Sequence, residues 1–107
     1  PHTHPAMNAP DALLATALPR IDAQRLWGSL MALAAIGATP KGGVCRLALS
    51  ELDRQARDLF VRWAQEAGCT VRVDAIGNLF ARREGSEPGL PAVGTGSHID
   101  TQPTGGK

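Results

Sequence analysis

Residues Ser50–Arg83, SELDRQARDLFVRWAQEAGCTVRVDAIGNLFARR, change their apolar period halfway along, and that change decides the fold. Leu52, Ala56, Leu59, Phe60, Trp63, Ala64 and Ala67 recur three and four apart, which places them on one face of a helix. Ser50 followed three residues later by Asp53 resembles a capping box, with Asp shorter than the preferred Glu. On the other face, Asp53–Arg57 and Asp58–Arg62 form i,i+4 pairs in the favourable order, as expected of a solvated surface. Gly68 ends the helix. From Cys69 to Ile76 the period falls to two: Cys69, Val71, Val73 and Ala75 alternate with Thr70, Arg72, Asp74 and Ile76. That is a strand. Gly77-Asn78 supplies turn chemistry, and Leu79–Arg83 returns as its partner, with Arg82 and Arg83 discouraging aggregation at an edge.

Upstream, Asp22–Ile36 predicts a second helix, capped by Asp22, with Leu26, Leu30, Leu33 and Ala34 at helical spacing. Trp27 and Met31 widen its apolar face, so burial against a sheet is expected, and Gly37 is placed for a left-handed cap. The stretch ATPKGGVCRLAL reads as a loop, with Pro40 and Gly42-Gly43 as turn makers. Downstream, EGSEPGLP is a polar connection, and Pro91–Asp100 reads as a third, short, buried strand entering a loop. The order helix, helix, hairpin, strand predicts an α/β fold with helices layered on a sheet. Residues 1–20 contain four of the eight prolines and are expected to be a flexible leader, with His2 and His4 in a mobile tail rather than a metal site.

Composition removes several classes. The longest apolar run, Leu30–Ile36, has seven residues, against the ~20 that a membrane-spanning helix needs. No Lys or Arg occurs before Arg20, so a secretory signal lacks its charged start. Eleven basic and ten acidic residues provide no field for nucleic acid or anionic lipid. Cys45 and Cys69 form no CxxC pair, and they read as packing thiols in a reduced, cytoplasmic protein. Of the apolar residues 17 are alanine, and only four side chains are aromatic, so any core is thin.

The chemistry is concentrated in Gly94–Lys107, GTGSHIDTQPTGGK. A GxGxxG fingerprint fails because Ile99 stands where its last glycine belongs. A Walker A loop ending in Gly106-Lys107 fails because Thr101 replaces its first glycine. His98 and Asp100 remain. In an extended backbone, residues i and i+2 share a side, so imidazole and carboxylate fall together. A metal-binding histidine normally donates its second ring N–H to such a partner, which fixes the tautomer. Gly94, Gly96, Gly105 and Gly106 leave room for backbone near the site. Spacing alone leaves a metal ligand with its orienter and a surface hydrogen bond both open. A Ser97/His98/Asp100 triad is the weaker arrangement, since sequential neighbours seldom converge in that geometry. A catalytic zinc needs about three protein ligands, and no others stand here at metal spacing.

From about Ile21 the chain resembles the start of the hydantoinase/carbamoylase family of amidases, through RLWGSLMALAAIGATPKGGVCRLALSELD, ARDLFVRWAQEAGCTVRVDAIGNLFARREG and GSHIDTQPTGGK. The family includes N-carbamoyl-L-amino-acid hydrolases, β-ureidopropionases and allantoate amidohydrolases, within the aminoacylase-like metallopeptidase superfamily. The resemblance implies that residues 21–107 are the N-terminal portion of a metal-dependent catalytic domain, cut short within its own motif. It implies His98 as a ligand to one of two divalent ions (zinc, manganese or cobalt) and Asp100 as the carboxylate orienting that histidine. A bridging aspartate, a Glu-Glu pair supplying the base, and two more histidines are then expected beyond Lys107. The implied reaction is hydrolysis of a carbamoyl or ureido C–N bond in a small substrate by a homodimer, with this stretch alone inactive. An aminoacylase or dipeptidase, or a non-catalytic binding piece, is the alternative. Lys107 is assigned no role, and Asn78 is expected to act only in its turn.

Overall fold

The computed structural model describes residues 18–106, so residues 1–17 of the expected leader, with the His2/His4 pair, and Lys107 lie outside the described residues. The elements are α1 (Ala23–Ala35), α2 (Glu51–Glu66), β1 (Thr70–Val73) and β2 (Leu79–Arg82). This is the mixed α/β arrangement that the change of period predicts.

Helix α1 starts where expected. The Asp22 carboxylate accepts the Arg25 backbone N–H at 2.9 Å, satisfying one of the free donors of the first turn. At the other end Gly37 takes φ +91°, and a Cβ there would stand 2.7 Å from the Cys45 carbonyl oxygen. The close approach has a cause: the Cys45 N–H donates to the Gly37 carbonyl at 2.8 Å. The expected loop is therefore a tight reversal. The Thr39 N–H donates to the Gly43 carbonyl at 2.9 Å, the Gly43 N–H donates to Thr39 Oγ1 at 3.1 Å, and Val44 bridges to both Ala38 and Gly105.

Helix α2 is capped by Ser50, whose Oγ accepts the Asp53 N–H at 3.1 Å. The reciprocal half of the capping box is displaced by one residue, because Asp53 Oδ2 accepts from the Leu49 N–H at 3.0 Å, where Leu49 holds φ +64°. Asp53 is consequently buried rather than paired with Arg57. The expected i,i+4 ion pairs Asp53–Arg57 and Asp58–Arg62 are replaced by Arg54, which contacts Glu51 and, at 3.2 Å, Asp58. Arg57 instead donates to the Gly77 carbonyl at 2.6 Å, fastening the hairpin turn to the helix. The C-terminus closes as a Schellman motif: the Cys69 N–H reaches the Ala64 carbonyl at 2.9 Å, and the Gly68 N–H reaches Gln65 at 3.0 Å. Gly68, with φ +84°, supplies the left-handed residue that this motif requires.

The hairpin is antiparallel, with Thr70 opposite Arg82 and Val73 opposite Leu79. Its first strand ends at Val73, three residues before the alternating pattern does. Asp74 is the reason. Its carboxylate accepts from the Ile76 N–H at 3.1 Å, the Asn78 N–H at 2.8 Å and the Asn78 side-chain amide at 2.9 Å, so residues 74–78 form a five-residue loop. These hydrogen bonds, led by the one from the Asn78 side chain, hold the Asp74 carboxyl below its ordinary value of 3.8. On the strand face Arg72 lies over the Phe80 ring, 4.7 Å from its centroid.

Burial is sparse. Val44, at 2 % exposed, and Ala56 and Ala64 on α2 are the buried apolar residues among those described, while Phe60 and Trp63 are half-buried. The α1 face expected to lie under a sheet is open to solvent, with Trp27 63 % exposed beside exposed Leu26 and Leu30. Each such side chain contributes roughly 1.5–3 kcal/mol when buried, and among the described residues nothing covers them. The expected third strand is also absent among the described residues. Residues 91–100 make no ladder, Val93 is fully exposed, and without a neighbouring strand their N–H and C=O groups have no regular partners.

Two outcomes follow from this geometry. Gly37→Ala should cost more stability than Gly68→Ala, on the order of 1–3 kcal/mol against about 1, because only the first adds a backbone overlap to the unfavourable φ; urea denaturation of the two variants measures the difference. For Asp74 the folded-state value is the lower one, so the loop favours the ionised carboxylate. Its contribution is complete above about pH 4 and is lost as the pH falls through the folded value. Stability measured from pH 5 to pH 2 should fall less steeply in Asp74→Asn than in the native sequence.

Candidate functional site

His98, Ile99 and Asp100 follow an exposed glycine-rich stretch, and their placement is set from the other side. Arg46, 4 % exposed, lies between the end of α1 and Ile99. Its Nη1 donates to the carbonyls of Leu33 (2.9 Å) and Ile36 (2.6 Å), while Nε (3.1 Å) and Nη2 (2.9 Å) both donate to the Ile99 carbonyl. The last turn of α1 carries no basic residue, and the guanidinium complements the negative end of its dipole from outside the helix. The two backbones then join. The Arg46 N–H donates to Thr101 Oγ1 at 2.8 Å, and the Thr101 N–H donates to the Arg46 carbonyl at 2.7 Å. Further along, the Val44 N–H donates to the Gly105 carbonyl at 3.3 Å. The tight glycine here is Gly43, where a Cβ would overlap the Gly105 carbonyl oxygen. At Gly94, Gly96 and Gly106 a Cβ would meet open space.

At the end of this tie, His98 Nδ1 lies 2.8 Å from the backbone carbonyl of Asp100 and 3.3 Å from its carboxylate Oδ1. A carbonyl can only accept, so Nδ1 is the donor in this contact, and Nε2 makes no hydrogen bond among the described residues. The His98 side chain is 78 % exposed. This donor set suits a divalent metal: one imidazole, fixed in the tautomer that leaves Nε2 free. Among the described residues no group of three His, Cys, Asp or Glu side chains is placed to hold an ion. Ser97 makes no hydrogen bond to His98, so the structure does not assemble the triad.

Arg46 and Thr101 hold the backbone beside His98 and Asp100, and the apolar pattern does not reveal them. The available signal was the α1 C-terminus, which lacks a basic residue of its own.

The arrangement is an α/β scaffold that presents an exposed histidine, held through Nδ1, beyond a glycine-rich stretch. No protein-family model matches the chain. It is 48% identical over 88 residues to the N-carbamoyl-L-amino-acid amidohydrolase of Rhizobium meliloti, covering 82% of this chain and 21% of that one. To the ureidoglycolate hydrolase of Arabidopsis thaliana it is 42% identical over 87 residues, covering 81% of this chain and 18% of the other. The crystal structure of a hydantoinase/carbamoylase family amidase from Burkholderia multivorans superposes with a TM-score of 0.78 at 64% identity, covering 81% of this chain and 21% of that one. By sequence and by backbone, the chain is similar to one segment of the hydantoinase/carbamoylase amidases. It spans about a fifth of the length of the curated relatives it matches.

Proposed function

We propose that the chain contributes one metal ligand and its support to a metal-dependent amidohydrolase that cleaves the carbamoyl or ureido C–N bond of N-carbamoyl-L-amino acids or related compounds. The observation that carries this reading is the His98 ring, held through Nδ1 by Asp100 so that Nε2 is free to bind an ion. The two curated relatives named above, an N-carbamoyl-L-amino-acid amidohydrolase and a ureidoglycolate hydrolase, support the substrate class.

In this reading His98 Nε2 holds one of two divalent ions of the zinc, manganese or cobalt kind. When bound, such ions supply an activated water and polarise the scissile carbonyl. Asp100 keeps the imidazole in register through its backbone carbonyl at 2.8 Å, with its carboxylate at 3.3 Å as a second contact. The Nδ1 proton stays on the ring, and with it the basicity that makes Nε2 a good ligand. Residues 21–107 form the N-terminal portion of the catalytic domain, and the proton-transferring base and remaining ligands lie elsewhere in the protein. A homodimer in the cytoplasm belongs to the same reading through family resemblance, and no described helix is long and apolar enough to cross a membrane.

In the full-length protein loaded with zinc, manganese or cobalt, ammonia release from N-carbamoyl-L-amino acids should fall more than about 100-fold in His98→Ala, a ligand loss. In Asp100→Ala it should fall about 10- to 100-fold, because the backbone carbonyl still orients the ring. Turnover of acylated amino acids or dipeptides alone would move the reading to the aminoacylase or dipeptidase class. No turnover of any of these would make the chain a binding piece.

A further inference from the structure

We propose that Arg46 is a positioning residue for the His98 ligand: its guanidinium sets where the His98–Asp100 element stands relative to helix α1. The proposal rests on the metal reading of His98 and extends it to a residue remote in sequence. Among the described residues, the hydrogen bonds that residues 91–100 receive from the rest of the chain come from Arg46 Nε and Nη2, both to the Ile99 carbonyl. Ile99 lies between the ligand and its orienter; holding its carbonyl with two donors fixes the peptide plane that carries the Asp100 Cα and anchors the residue next to which His98 is mounted. The following residue is fixed too, by the reciprocal bonds between Arg46 and Thr101 at 2.8 and 2.7 Å. On the approach side nothing competes. Residues 84–98 are exposed, and their one backbone hydrogen bond is the local turn from Leu90 to Glu87.

The other half of the guanidinium grips Leu33 and Ile36, so the position of the site is indexed to the last turn of α1. Arginine suits the task because its planar fork presents several N–H groups in fixed directions, whereas lysine offers a point charge on a flexible stem. Metal–nitrogen bonds tolerate only about 0.2 Å of error, so a loosely held Ile99 would be felt as a weaker and distorted ligand rather than as a lost one.

The test uses the full-length protein with cobalt(II) as the probe, reading the visible absorption spectrum, the number and affinity of bound ions, and kcat against KM. Arg46→Lys keeps the charge at the end of α1 but gives up the paired bonds to Ile99; Arg46→Met removes both. Both variants should keep native circular dichroism, bind the His98-dependent ion about 10- to 100-fold more weakly, and show altered cobalt bands. Their kcat should fall while KM stays within about twofold. Native cobalt affinity and spectrum in Arg46→Lys would overturn the proposal. Loss of native circular dichroism in both variants would overturn it too, since Arg46 would then be a folding residue. His98→Ala supplies the separate control: an unchanged cobalt count there sinks the metal reading itself, whatever the Arg46 variants do.

Discussion

A helix that ends without a basic residue leaves carbonyl oxygens and a partial negative charge to be met from outside. In this chain Arg46 meets them, and the three segments around it depend on that contact. Among the described residues the guanidinium is buried without a carboxylate partner, and four hydrogen bonds to backbone oxygens of Leu33, Ile36 and Ile99 make that burial tolerable. Each carbonyl deprived of its donor would cost about 1–3 kcal/mol. A side chain of the tight reversal after α1 therefore determines where a segment more than fifty residues later comes to rest.

The rest of the fold is organised locally. Helix α2 and the hairpin are joined by the Schellman turn at Gly68 and by Arg57 on the Gly77 carbonyl. Asp74 closes the hairpin with its own carboxylate. These contacts are short in sequence and hold without a large core. The apolar faces are a different matter. Trp27, Leu26 and Leu30 remain in water, and two strands give too little sheet to cover them. A chain spanning about a fifth of its curated relatives is expected to carry such half-finished surfaces.

Much of this was legible in residue order. The change of period at Gly68, the caps at Asp22 and Ser50 and the left-handed glycines 37 and 68 are short-range features, each written within a few residues. Those expectations agree with the structure because their physics is local. The misses share one cause: they depend on partners that periodicity does not name. Asp53 reads as half of an ion pair, yet the nearer Leu49 N–H claims it. Asp74 reads as the polar side of a strand, yet three donors within four residues convert it to a turn. Pro91–Asp100 has the composition of a buried strand but no neighbour to form a ladder with. Arg46 looks like an ordinary loop arginine until the end of α1 is seen to need it. The His98-x-Asp100 spacing was visible, but the nearer contact from Asp100 is its carbonyl, which no side-chain pattern could have indicated.

The site and the fold thus meet at Arg46, which ties the end of α1 to the residue between His98 and Asp100. Native-state hydrogen exchange tests that tie most directly, through the amides of Cys45, Arg46 and Thr101, which donate respectively to Gly37, Thr101 and Arg46. If the tie is real, these three amides open together with one shared free energy and exchange more slowly than those of residues 92–97. Thr101 exchanging as fast as residues 92–97, while Cys45 and Arg46 stay protected, would contradict it.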